Sequence, residues 1–162
     1  MLREDIIILE ESIDSTDAYR LLSALSASLE RITGNSGAAS FDVNDMNDPR
    51  ACFAVARDAE NVAVGCGAIR PYDSQTAELK RMYASVPKQG IGKSVLTFLE
   101  SKAAALGYQI ILLETRRIND TAVAFYLANG YRVIPNYGAY AGRAEAICFE
   151  KSILPAAQDV TV

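Results

Sequence analysis

The stretch from Glu78 to Leu99, ELKRMYASVPKQGIGKSVLTFL, combines residue types and spacing that suit the binding of an anion. A predicted strand leads there through a glycine-containing turn directly into a helix. The first backbone N–H groups of a helix have no partner within it, and they lie at the positive end of its dipole. Gly90 and Gly92 would let oxygen atoms approach the backbone closely. The turn therefore predicts a phosphate or pyrophosphate site. Four basic residues of this stretch add positive charge: Lys80, Arg81, Lys88 and Lys93.

The same turn also has a simpler interpretation, an ordinary capped helix with solvated lysines. It lacks the third glycine of the dinucleotide-binding pattern and the glycine spacing of a P-loop. A phosphate-binding turn with neither pattern leaves other phosphate-bearing cofactors open, coenzyme A among them.

The composition excludes several kinds of catalytic site. The 162 residues include no histidine, so serine–histidine and cysteine–histidine pairs and histidine metal ligands are absent. Cys52, Cys66 and Cys148 are odd in number and lie in apolar stretches, which favours buried reduced thiols over disulfides or a metal cluster. Acid–base chemistry must come from carboxylate, tyrosine, lysine, cysteine or water, and no metal is predicted.

Charge and hydropathy narrow the range of partners. The net charge is −4, so a general polyanion-binding surface is not expected. No apolar run approaches the roughly 20 residues that cross a bilayer, and the first residues are acidic, unlike a secretory signal. We therefore expect a cytoplasmic protein with neither a nucleic-acid nor a membrane partner.

Hydrophobic periodicity predicts one α/β (α+β) domain, residues 1–152, with a frayed tail at 153–162. The predicted order is a strand, a helix, a polar connection, three strands, a helix from about Lys93 to Leu106, a strand, a helix and two strands. Three consecutive strands form an antiparallel meander, and a strand–helix–strand crossover follows it. This order predicts a mixed, mostly antiparallel central sheet of about six or seven strands, flanked by helices on both faces.

Three blocks between about Ala77 and Lys151 resemble, in the same order, the GNAT superfamily of acetyl-CoA-dependent N-acetyltransferases. The first is ELKRMY followed by QGIGKSVLTFLE, the second is ILLET followed by NDTAVAFYLANGYRVI, and the third is NYGAY with AICFEKSI. One departure is Pro87, which stands where the family usually has arginine or glutamine, in a shorter loop. The resemblance implies a GNAT-like fold and acetyl-CoA as co-substrate.

The resemblance also implies a set of cofactor-binding residues. The pyrophosphate of CoA would rest on the backbone of five consecutive residues: Gln89, Gly90, Ile91, Gly92 and Lys93. Lys88 or Lys93 would assist by charge, and the pantetheine arm would pair as an added strand edge with Met82 and Tyr83. Asn119 matches a cofactor-contacting asparagine of the family, although it would serve equally well as a helix N-cap alone.

Two residues take catalytic roles under the resemblance. Tyr126 matches the tyrosine that can protonate the departing CoA thiolate, and its alternative is a core aromatic that shares a helix face with Val123 and Leu127. Glu78 matches a strand glutamate that some members use as a general base, directly or through water. Glu114 is the competing base, and Glu78 has the alternative of an edge-strand carboxylate paired with Lys80 or Arg81. The Met82 N–H would help to stabilise the oxyanion.

The predicted reaction is direct attack of a primary amine, from a small molecule or a peptide, on the thioester. The connection at 34–49 and the loop at 135–143 should contact this acceptor. Asp42 and Asp45 could attract a cationic amine, or they could be loop caps or solvated charges. Tyr137 and Tyr140 could form one wall of the acceptor pocket, or they could merely close a hairpin. Two other functions stay open, a catalytically silent CoA-binding sensor or scaffold and a nucleotide-binding protein. The family often forms dimers, so a homodimer is a further expectation.

Overall fold

The computed structural model describes residues 5–87 and 89–154. In chain order, the strands and helices are β1 (Ile7–Glu10), α1 (Thr16–Thr33), β2 (Cys52–Arg57), β3 (Ala63–Pro71), β4 (Thr76–Ala84), α2 (Ile91–Ala105), β5 (Ile110–Arg116), α3 (Asp120–Ala128), β6 (Arg132–Ile134) and β7 (Ala146–Ser152). Short 3₁₀ turns lie at Ala38–Ser40, Val43–Asn47 and Gly138–Tyr140.

The seven strands form one sheet in the order β1-β2-β3-β4-β5-β7-β6. Every neighbouring pair is antiparallel except β4 and β5, which are parallel. Helix α1 packs on one face, where Leu21 joins Phe53 and Val55 in a buried cluster. Helices α2 and α3 cover the other face, where Leu99 and Tyr126 belong to a larger cluster. The predicted mixed sheet with helices on both faces is confirmed.

Local side chains fix where the helices begin. The Ser15 hydroxyl accepts a hydrogen bond from the Ala18 N–H at 3.0 Å and caps α1. Helix α2 begins at Ile91, two residues before the predicted start at about Lys93. Its N-cap is Gly90, whose left-handed φ of 73° favours glycine, and Gly92 already lies in the first helical turn.

Strands β4 and β5 separate after a short pairing. Only residues 76–78 pair with residues 110–112, although β4 runs on to Ala84 and β5 to Arg116. Beyond Glu78, no strand of the described residues lies beside this edge of β4. A wedge opens between the two central strands of the sheet.

A β-bulge at Arg81 reshapes β4 beside this wedge. Cys66 of β3 lies opposite Tyr83, whereas Ala68 lies opposite Lys80, so β4 carries one extra residue. Arg81 takes the extra position with a left-handed φ of 55°. Its guanidinium holds this conformation, because it donates to three oxygens of α1 and the following loop: Ser26 Oγ at 2.5 Å, Ser36 O at 3.1 Å and Leu22 O at 3.3 Å.

The C-terminal end, the membrane and the cysteines are each the subject of a prediction. The expected tail begins inside the described part, where the Ile153 N–H donates to Gln109 O at 3.0 Å, and residues 155–162 lie outside it. No described helix is both long and apolar enough to cross a bilayer. Cys52, Cys66 and Cys148 are free and buried, as predicted. Burial raises the pKa of the Cys52 and Cys66 thiols to about 12, which keeps them protonated.

Candidate active site

A cavity of about 1030 Å³ occupies the wedge between β4 and β5. Its walls come from both strands, from α1, from the start of α3 and from the two connections that precede β2 and β7. These are the connections that the sequence analysis assigned to the acceptor. The cavity therefore brings together the predicted catalytic residues Glu78 and Tyr126, and Met82 and Asn119 as well.

The cavity passes through the sheet and joins its two faces. Leu79 and Leu113 point into the core beneath α2 and α3. Since side chains alternate along a strand, Glu78, Lys80 and Glu114 point to the opposite face, the face of α1. All five residues line the cavity. Two molecules could thus meet in the wedge from opposite faces of the sheet.

Tyr126 lies on the α3 side of the wedge. Its ring packs against Phe125, Tyr131 and Phe149 with centroid distances of 5.2, 5.6 and 6.0 Å, so it is a core aromatic as well as a cavity residue. Its hydroxyl forms no hydrogen bond with a described residue and is open to the cavity. Burial raises the pKa of Tyr126 well above its usual range. Leu127, which was expected on the same buried face, is instead 51% exposed.

Asn119 caps α3 and lines the cavity. Its Oδ1 accepts a hydrogen bond from the Ala122 N–H at 3.2 Å, so the capping role is present. The residue is only 8% exposed, and its Nδ2, to which no described residue offers an acceptor, is open to the cavity. Capping occupies only the oxygen and leaves the amide nitrogen for a ligand.

Glu78 is the centre of a buried network of charges. Arg70 donates to its Oε1 from Nε at 3.0 Å and from Nη2 at 2.9 Å. The Tyr137 hydroxyl donates to Oε2 at 2.5 Å, and Lys80 Nζ lies 3.6 Å from the same oxygen. Arg70 also donates to Asp45 at 2.7 Å. Both oxygens of Glu78 are therefore engaged, and they tie β3, β4 and the two acceptor-side connections together.

Glu114 lies across the wedge from this network and has fewer partners. One oxygen accepts from Arg116 at 3.2 Å, and the side chain is 12% exposed. Burial raises the pKa of Glu114, against the opposing effect of Arg116, Lys80 and, more weakly, Arg143, while the charge of Glu78 adds to the rise. A buried carboxyl with a raised pKa and little hydrogen bonding suits proton transfer.

Two predicted wall residues, Tyr137 and Tyr140, do line the cavity. Their rings meet edge to face at 5.5 Å, and Tyr72 packs on Tyr137 at 5.3 Å. Lys80, which is buried, donates to the Tyr140 hydroxyl at 2.6 Å. The tyrosines thus form the wall and also hold the loop against β4.

The acidic residues of the first connection serve the protein itself. Asp42 accepts from the Asn44 N–H at 2.9 Å and caps the 3₁₀ turn, and Asp45 pairs with Arg70. The capping alternative describes Asp42, whereas Asp45 forms an ion pair across to β3 that the sequence did not predict. Sequence reasoning missed Arg70, although its position on β3 continues the buried face of Cys66 and Ala68.

The backbone of β4 has a free edge where the pantetheine arm was predicted. The Ser85 N–H donates to Val64 O, so the polar groups of Ser85 and, by alternation, of Tyr83 face β3. Those of Met82 and Ala84 face away from β3, along the wedge. Because the N–H and C=O groups of Tyr83 face β3, Met82 rather than Tyr83 offers backbone groups to the predicted pantetheine arm.

The first turn of α2 follows this edge. Gly90 provides the turn, Ile91 buries its side chain in the core, and Lys93 is exposed. No described residue of 89–93 lines the cavity, so this turn lies beyond it. Lys88 falls outside the described residues.

Comparison with known proteins gives the family and the fold. The sequence profile of the acetyltransferase (GNAT) family matches residues 19–131. The chain is 32% identical over 115 residues to the IAA acetyltransferase of Azospirillum brasilense. The aligned residues make up 69% of this chain and 74% of that protein. Among solved structures, an acetyltransferase from Streptococcus agalactiae aligns with a TM-score of 0.75 and 19% identity over 93% of this chain and 99% of that one. A GNAT family acetyltransferase from Elizabethkingia anophelis, solved with acetyl-CoA bound, aligns with a TM-score of 0.69, 19% identity and the same coverage.

Proposed function

Since this chain belongs to the acetyltransferase (GNAT) family, we propose that it transfers the acetyl group of acetyl-CoA to a primary amine of a small molecule or a peptide. Membership makes it an acyltransferase, and acetyl transfer is the reaction of the family. The amine, its direct attack on the thioester and the residues that assist it are the proposal.

One observation carries the proposal, the cavity that crosses the sheet where β4 and β5 separate. The Tyr126 phenol, to which no described residue forms a hydrogen bond, lies at its α3 side, and two carboxylates lie at its other face. Such an opening lets a thioester and an amine approach each other within one protein, with a hydrogen-bond donor and a proton acceptor on opposite sides. No covalent enzyme intermediate is needed.

The free edge of β4 and the start of α2 suit acetyl-CoA as co-substrate. We assign the pantetheine arm to the outward backbone groups of Met82 and Ala84, where an extended chain can add to the sheet. The pyrophosphate would rest on the backbone N–H groups of 89–93, because these groups lie at the positive end of α2. Lys93 is exposed beside them and can add charge.

The proton acceptor is assigned to Glu114 rather than Glu78, because both oxygens of Glu78 are already held by Arg70, Tyr137 and Lys80. Glu114 would take the proton of the amine, and the Met82 N–H would stabilise the oxyanion. Glu78 would then position the acceptor side. Glu114 can take this proton directly or through water.

Tyr126 is assigned as the hydrogen-bond donor that stabilises the departing thiolate. Its pKa is raised by burial, so the phenol stays protonated through the physiological range. A free thiol has a pKa of about 8.5, below that of the phenol. Tyr126 would therefore act chiefly by donating a hydrogen bond to the thiolate as it leaves.

A thiol-release assay tests the function. The purified protein is mixed with acetyl-CoA and amines of several classes: amino acids, peptides, polyamines and aminoglycosides. Acetyl-CoA-dependent thiol release that requires one of these amines supports the proposal. Calorimetric binding of acetyl-CoA without turnover of any amine would favour a catalytically silent binding module. Absence of acetyl-CoA binding at millimolar concentration would exclude both the transferase and the binding module.

A further inference from the structure

Arg143 stands out among the basic residues that line the cavity. Five such residues belong to the lining: Arg70, Lys80, Arg81, Arg116 and Arg143. The first four each hold a carboxylate, a hydroxyl or a backbone oxygen through their side chains. Within the described chain, the Arg143 guanidinium has no hydrogen bond and no ion pair, and the residue is exposed.

The backbone of Arg143 is held firmly although its side chain is not. Its N–H donates to Tyr140 O at 3.0 Å, and its carbonyl accepts from Asn136 Nδ2 at 2.9 Å and from the Ala146 N–H at 3.1 Å. Asn136 also binds Tyr140 O at 3.2 Å and Ala146 O at 3.3 Å. A fixed loop therefore presents a guanidinium that no described residue binds.

The acids of the cavity leave this charge uncompensated. Asp45, Glu78 and Glu114 are paired with Arg70, Lys80 or Arg116. The fourth acid, Asp48, accepts from the Arg50 N–H at 2.8 Å and caps its own turn. These ion pairs neutralise Arg70, Lys80 and Arg116. The Arg81 guanidinium has no acid partner, but it is held by three oxygens of α1 and the following loop, so among the described lining residues Arg143 is the cation whose side chain is open to a ligand.

The position of Arg143 points to the acceptor rather than to CoA. It follows Tyr140, which binds Lys80 on the face of the sheet that carries Glu78 and Glu114. The positive end of α2, to which the CoA pyrophosphate is assigned, lies outside the cavity that Arg143 lines. Its charge also reaches Glu114, whose pKa it lowers in part.

We propose that the acceptor carries a carboxylate as well as its primary amine, and that Arg143 binds this carboxylate while the amine lies at Glu114. The acceptor class is then the free amino acids and close relatives. A planar guanidinium matches a carboxylate with two parallel hydrogen bonds, which fixes the amine in one orientation. This inference rests on the proposed acetyl transfer.

Matched acceptors test it in the thiol-release assay. Each amino acid is compared with its amide and with the amine that lacks the carboxyl group, for example phenylalanine, phenylalaninamide and phenethylamine. We expect kcat/KM for the preferred amino acid to exceed that of its amide by about tenfold or more, as the loss of a charged hydrogen-bond partner implies. Arg143→Gln should remove this ratio, and Arg143→Lys should retain part of it.

The control is Arg31→Gln, which removes the same charge from the last turn of α1, away from the cavity lining. It should leave the ratio unchanged, and Arg143→Gln should leave CoA binding by calorimetry unchanged. Equal or faster turnover of amides and amines would overturn the carboxylate while the proposed function stands. An unchanged ratio in Arg143→Gln would overturn the role of this arginine, and no turnover of any amine would overturn the proposed function itself.

Discussion

Replacing Glu114 and Glu78 by glutamine, one at a time, should separate catalysis from stability. Glu114 has a raised pKa and one arginine partner, whereas Glu78 anchors four elements. Loss of a general base lowers turnover by about a hundredfold or more. Glu114→Gln should therefore lose most of its kcat, measured by thiol release, and should melt no lower than the parent protein at neutral pH.

The sign of the stability effect follows from the direction of the pKa shift. Folding raises the pKa of Glu114, so its protonated form favours the fold, and this contribution is lost as pH rises through the raised pKa. Above the usual pKa of glutamate, the raised pKa of Glu114 costs stability that glutamine does not lose. The difference in melting temperature between the two proteins should disappear below the usual pKa of glutamate. The kcat/KM of the parent should fall as pH drops through the raised pKa of Glu114, because a protonated carboxyl cannot accept the proton of the amine.

Glu78→Gln should behave differently because it leaves Arg70 and Lys80 facing a neutral amide. Breaking a buried ion pair costs about 3 to 5 kcal/mol, and since Arg70 keeps Asp45 we expect about 3 kcal/mol. For a domain of this length that is a fall of roughly 6 to 12 °C in Tm. KM for the amine should rise, because the acceptor side loses its anchor. The assignment is refuted if Glu78→Gln keeps its Tm and loses kcat while Glu114→Gln stays active.

Two further substitutions probe the cofactor side. Tyr126→Phe keeps the ring packing and removes a hydroxyl without a protein partner, so kcat should fall about a hundredfold with little change in Tm; an unchanged kcat would exclude Tyr126 as the donor. In the parent, no alkaline fall in kcat should come from Tyr126 below the usual tyrosine pKa of about 10, because burial raises its pKa. Gly92→Ala would place its Cβ in ordinary contact with Phe125 at 3.5 Å, so the gain in helix propensity should stabilise the protein by up to about 1 kcal/mol. Calorimetry should nevertheless find weaker CoA binding; equal affinity would argue against close phosphate approach at Gly92.

The element order and the sheet were predictable because they depend on local periodicity and turn residues. Alternation in β3 and β4, the Ser15 cap and the glycines after α1 and α3 are all visible in the sequence. The predicted start of α2, about Lys93, is later than the observed start at Ile91, because Gly92 has the sequence signature of a turn residue. A glycine within a first helical turn leaves no sequence signal that distinguishes it from a turn residue.

The contacts of the site were less predictable because they join residues far apart in the chain. Glu78 was expected beside a neighbouring base such as Lys80, yet its closest partners are Arg70 and Tyr137. A side-chain contact across the sheet depends on the register and on how loops fold over it, and one sequence does not specify either. The same limit applies to Arg143. It is distinctive only because the other basic side chains that line the cavity are bound by protein groups.

The bulge in β4 could have been read from the sequence, and it explains how one strand serves both substrates. Apolar core positions fall at Ala77 and Leu79 and then, after an extra residue, at Met82 and Ala84. Strict alternation would have turned Met82 toward the polar face that carries Glu78. The extra residue at Arg81 instead sends the Met82 side chain into the core, where Gly67 leaves room because a Cβ there would overlap the Met82 sulfur. The polar side chains of β4 thus stop at the acceptor side of the wedge, and the backbone beyond them is free to bind an extended chain.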